Sequence, residues 1–215
     1  MHRYRWITAG AALLSLLGAS GAAAQGITFV AFLTNDQETS PVVPTLVTGE
    51  PRPISFGLAT FALNADHSAL SFMAVIHNID FTGMQTADPN DNLAAAHIHA
   101  APTVTPMSDG PVVWGFFGMP FNDTDPTDVV VTPFATGVGG TVSGTWNLAE
   151  GNNTTLPEQL PNVVGEHSYI NFHTVQFPRG EIRGAILVTP EPVTLLLVGG
   201  GLLTLGAAAR RRRAA

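Results

Sequence analysis

Between Gln25 and Thr189 no apolar run lasts long before a Gly, Pro, Asn or Asp cluster interrupts it. The runs are Ile27–Leu33, Ile54–Leu63, Ala69–Ile79, Ala94–Ala100, Val112–Phe117, Val129–Phe134, Thr141–Leu148, Tyr169–Val175 and Glu181–Val188. They are rich in Val, Ile, Phe and Thr, whose branched or aromatic side chains pack well on a pleated surface. No stretch of this body keeps a helical period, and proline is too densely scattered for long helices. Many short strands joined by turns predict an all-β antiparallel sandwich. Residues 25–189 are a normal length for one domain. The stretch "SPVVPTLVTGEPRP" at 40–53 reads as a loop fixed by proline rather than as a linker.

The charge of that body is lopsided. It holds three arginines (Arg52, Arg179 and Arg183), no lysine and fifteen acidic side chains, a formal charge of −12. Such a surface repels nucleic acid and anionic membranes and attracts cations. There is no cysteine. A disulfide framework and a thiol nucleophile are both excluded, so the fold rests on its core or on bound ions. No nucleophile elbow, phosphate-binding loop, dinucleotide fingerprint or paired-carboxylate motif occurs, and the reading leans away from an enzyme.

The two ends carry targeting patterns. Arg3 and Arg5 precede a short apolar run, and Ala22-Ala23-Ala24 supplies small residues for cleavage before Gln25, so residues 1–24 read as a signal peptide removed by signal peptidase. At the other end Pro190, Glu191 and Pro192 precede an apolar segment, 193–209, followed by Arg210, Arg211, Arg212 and Arg213. Seventeen residues lie at the lower limit of a transmembrane helix. The arginines would stay cytoplasmic. This order closely resembles the PEP-CTERM sorting signal (here 190–215) of exopolysaccharide-producing Gram-negative bacteria. The resemblance implies an exosortase as processing partner and delivery to the cell envelope, cell surface or extracellular matrix.

Three segments of the body concentrate polar groups: "AHIHA" at 96–100, "SYINFHT" at 168–174 and "GEIRGAI" at 180–186. "FPRG" at 177–180 suits a three-residue hairpin loop that would pair Phe177 with Glu181 and Val175 with Arg183. Alternation then puts Tyr169, Asn171, His173, Glu181 and Arg183 on one face, and Ile170, Phe172, Ile182, Gly184 and Ile186 on the core side. His97 and His99 point one way and Ile98 the other. With Gly110-Pro111-Val112-Val113, these pieces resemble the CHRD domain over roughly residues 27–188. The resemblance implies an immunoglobulin-like sandwich distantly similar to Cu/Zn superoxide dismutase.

Two histidines at i and i+2 on a strand stand roughly 7 Å apart and point the same way, so both rings can converge on one ion. His173 can supply a third nitrogen to a copper or zinc. The competing arrangement is a hydrogen-bonded network with Glu181, Tyr169 and backbone carbonyls. Donor nitrogens within about 5 Å of one another favour the ion. His77 is the remaining plausible ligand. A dismutase is not expected, because no histidine lies between Ala100 and Glu166 to bridge to a second metal. The acidic loops offer Asp123, Asp125 and Asp128, or Asp88 and Asp91, as candidate calcium ligands. The expected function is a non-catalytic, surface-exported binding module that meets exopolysaccharide or surface proteins. Its alternative is an envelope copper- or zinc-binding protein.

Overall fold

The computed structural model describes residues 26–190. The leader 1–24 and the sorting segment from Glu191 onward, with its apolar stretch and arginines, lie outside the described residues. No helix among the described residues is long and apolar enough to cross a membrane.

The elements are β1 (Ile27–Thr34), β2 (Phe56–Leu63), β3 (Ala69–His77), β4 (Leu93–Ala100), β5 (Val112–Phe117), β6 (Val130–Pro133), β7 (Gly139–Asn147), α1 (Leu156–Val164), β8 (Ser168–Thr174), β9 (Ile182–Ala185) and β10 (Leu187–Val188). All strand pairs are antiparallel. Each predicted run became a strand, the last one split in two at Ile186, whose amide donates to the Ser168 carbonyl at 3.0 Å.

The expected sandwich has two separate sheets. Here hydrogen bonding runs unbroken in the order β5-β4-β8-β9-β1-β2-β3-β7-β6, with β10 also on β1. The seam is the 182–188 segment. It pairs with β8 through Phe172–Ile182 and Tyr169–Ala185, and with β1 through Thr34–Arg183 and Phe29–Val188. One strand serving both halves lets a single sheet curl until its inner faces meet.

No ladder joins the two halves where they face each other, so side chains hold them. Trp114 of β5 stacks on Trp146 of β7 with centroids 5.9 Å apart, and meets Phe72 of β3 edge-on at 5.6 Å. Phe116 closes the cluster against Phe72 and Phe172. These rings are buried, and such pairs contribute beyond the area they remove from water. The edge of β5 is covered by Asn152, whose backbone and side-chain amides donate to Val113 and Val112. On β6, Pro133 blunts the other edge.

The reading of the body as lacking any helical period missed α1. Its signal was present: the Thr155 amide donates to the Glu158 carboxylate at 2.9 Å, a Thr-x-x-Glu start, with Pro157 in the first turn. Leu156 and Val163 are buried in the core.

Trp114 Nε1 has no partner although buried. Trp114→Ala is therefore expected to cost about 3–5 kcal/mol in urea unfolding, whereas Trp114→Phe, which removes an unsatisfied donor, should cost roughly half of that or less.

Candidate metal centre

β4 runs between β5 and β8, which fixes both of its histidines. Ile98 enters the core, while His97 and His99 project to the opposite face beside their cross-strand partners Asn171 and Tyr169. The β4–β5 ladder shifts register between Ala96 and His97 and again between Ile98 and His99. Bulges of this kind re-aim side chains. His173 sits opposite Ala95, whose small side chain leaves room for the rings to meet. Gly115, opposite His97, is required there, because a Cβ would collide with the Pro120 carbonyl and crowd the His97 ring.

The three imidazoles come together. His97, His99 and His173 each offer a ring nitrogen, all within 4.8 Å of one another. The face expected to be outward-looking is closed over by loops, leaving the three residues only 4, 8 and 8 % exposed.

The hydrogen bonds fix the tautomers. A carbonyl only accepts, so a ring nitrogen facing one must carry the proton. His97 donates from Nε2 to Met119 at 3.0 Å, His99 from Nδ1 to Gly110 at 2.9 Å, and His173 from Nδ1 to Pro178 at 3.1 Å. The remaining nitrogens are then lone pairs in the neutral rings. Two of them, His97 Nδ1 and His173 Nε2, face each other at 3.1 Å, and the third, His99 Nε2, is buried with no partner. Burial pushes His99 and His173 down to about 4 and lowers His97 as well, so all three rings are neutral at pH 7. Three convergent lone pairs with no proton among them are a donor set that could hold a cation, and the carbonyls behind each ring are the kind of support that metal-binding histidines use.

Tyr169, Asn171 and Arg183 surround this set as the alternation predicted. Tyr169 stacks on His99 with centroids 4.6 Å apart, and the Arg183 guanidinium lies over the Tyr169 ring at 4.1 Å. Arg183 also bonds Asp109 at 3.1 Å and the carbonyls of Pro106 and Ser108. It thereby pins the loop that presents the Gly110 carbonyl to His99. Asn171 donates to Glu38 at 2.7 Å. Burial raises the Glu38 carboxyl to about 7, against the opposing pull of Arg183.

Glu181 is not part of the histidine face. Its carboxylate is held by Arg52 at 2.6 and 2.8 Å, by Thr174 at 2.5 Å and by Ser55. The expected hairpin register is also corrected: Arg183 pairs with Asn171, not with Val175. The amides of Val175 and Gln176 donate instead to Asn92 and Asn90, which opens the loop and turns Glu181 toward Arg52. Gly180 allows this with φ +131, lying tight against Asn171 and Glu38.

Other candidates are used differently. His77 stacks between Phe56 and Phe134, with centroids 4.8 and 5.0 Å away, and lines a 460 Å³ cleft. Asp123 accepts the amides of Asp128 and Val129, Asp128 accepts that of Thr145, and Asp88 those of Val47 and Asn90. Asp91 takes the Thr86 hydroxyl. These carboxylates staple loops, while Asp125 meets the same region through its own amide, which donates to Glu150. Sequence reading missed Arg52, Glu38 and Asp109. The signal for Arg52 was scarcity: in a body with three arginines, a buried carboxylate draws on one of them.

A CHRD domain family model matches residues 29–186. No curated protein and no solved structure matches the chain.

Glu38 yields a pH prediction. A carboxyl whose folded pKa is raised contributes its full stability below the ordinary value near 4.5 and loses it as pH rises through about 7. Glu38→Gln, which keeps an acceptor for Asn171, should raise the melting temperature at pH 8 and leave it nearly unchanged at pH 4.5. Thermal melts of both proteins across that range check it.

Proposed function

Since the chain belongs to the CHRD domain family, we propose that it is an exported, non-catalytic binding module whose bound group is a copper or zinc ion held by His97, His99 and His173. The observation that carries this reading is the convergence of three unprotonated imidazole nitrogens within 4.8 Å, one of them buried without a partner. The backbone-carbonyl bonds of the alternative network are present, and what supports the ion over that network is the centre of the cluster. Glu181 is engaged elsewhere, Tyr169 stacks rather than bonds to His99, and no proton lies between His97 and His173.

The rest of the proposal rests on the sequence. Signal peptidase removes residues 1–24, an exosortase recognises the segment 190–215, and the domain reaches the envelope, cell surface or matrix of a Gram-negative bacterium. There it meets exopolysaccharide or other surface proteins. The single curled sheet is read as a variant of the immunoglobulin-like, dismutase-like sandwich that the family resemblance implies. Dismutase chemistry is not part of the proposal, because His77, the remaining candidate ligand, belongs to an aromatic stack on another face.

The test is metal content by mass spectrometry on the full chain after incubation with copper and zinc salts and dialysis, beside a His97→Ala/His99→Ala variant. About one ion per chain is expected in the parent and none in the variant, with circular dichroism confirming that the variant keeps its strands. A metal-free parent protein would overturn the proposal.

A further inference from the structure

We infer that this site is built for monovalent copper rather than for zinc, an inference that rests on the three-histidine reading above. Its basis is the charge inventory around the rings. All three donors are imidazoles, which bind metals as neutral ligands, and among the described residues no carboxylate joins them within 4.8 Å. The cost of transferring an ion from water into a buried site grows with the square of its charge, so a divalent ion pays roughly four times what a monovalent one does.

Neighbouring groups do not offset a second positive charge. Glu181 is consumed by the buried Arg52 at 2.6 Å. Asp109 is bound to Arg183 at 3.1 Å, and that guanidinium is itself a cation in the same network. Glu38, the remaining carboxyl of the cluster, donates nothing to the rings and is engaged by Asn171. Burial raises it to about 7, so it carries only about half a charge at neutrality and little below it.

Coordination number points the same way. Zinc completes four ligands, in catalytic sites by adding water to three protein groups. Cu(I) has a filled d shell, carries one charge and is satisfied by two or three nitrogen donors. The loops carrying Gly110, Met119 and Pro178 close over the rings, with each carbonyl already accepting a ring proton and so turned away from a ligand role.

Two measurements on the full chain test this. In anaerobic competition against a chromogenic Cu(I) chelator, and in parallel against a zinc chelator, the protein should retain about one equivalent of Cu(I) at chelator concentrations that strip Zn²⁺ completely. Asn171→Asp places a negative charge on the cross-strand neighbour of His97. It should shift the Zn²⁺-to-Cu(I) preference toward zinc by at least about tenfold. If the variant does not fold, the wild-type competition decides alone. Zinc held as tightly as Cu(I) by the wild type, or a folded Asn171→Asp variant with unchanged preference, would overturn the charge argument and leave the metal centre standing. Retention of neither ion would remove both.

Discussion

The strand β8 is buried along its entire length, and that constraint organises the molecule. One face gives Ile170 and Phe172 to the aromatic core that holds the curled sheet together. The other gives Tyr169, Asn171 and His173 to a polar layer that loops close off from water. A buried polar group without a partner costs about 1–3 kcal/mol, so each side chain in that layer must be matched. Most are matched by loop carbonyls, by Arg183 or by Glu38. The mismatch left over includes Ser168 Oγ and Asn171 Oδ1 of β8 itself and, on the neighbouring rings, His99 Nε2 beside the facing lone pairs of His97 and His173.

Arg183 and Arg52 divide the electrostatic work. Arg183 fastens the 105–109 loop, which carries the Gly110 carbonyl to His99, and so sets the tautomer of a ring it does not bond. Arg52 takes Glu181 out of the histidine layer, which leaves the candidate ligands a purely neutral set. In a body with a formal charge of −12 the centre of the polar layer is nevertheless poor in free anions. In the proposed reading, surface charge draws cations toward the protein and the local inventory selects among them.

Much of this was legible in the residues. Alternation along "SYINFHT" sorted core from polar side chains correctly, because a pleated strand with a strongly apolar set has one stable facing. The His-x-His spacing put both rings on the same side for the same reason. The position of Glu181 was not legible. A hairpin drawn from "FPRG" assumes that the strands pair up to the turn, whereas Val175 and Gln176 find better acceptors in a loop about 85 residues away in sequence. Helix α1 was not legible beyond its Thr-x-x-Glu start because proline disfavours helix beyond a first turn, and here Pro161 lies inside the helix as well as Pro157 in its first turn.

The sequence by itself determined the strands, the two faces of β4, β8 and β9, and which imidazoles could share a side. These follow from backbone geometry with a period of two and need no knowledge of neighbours. Only the tertiary structure decided that the two histidine strands are adjacent, that loops bury the rings, and that Met119, Gly110 and Pro178 hold one proton on each. Those facts depend on register and loop closure between residues up to about 76 positions apart. Nothing in local propensity encodes such distances, since they are set by which buried polar groups can find partners once the sheet has curled.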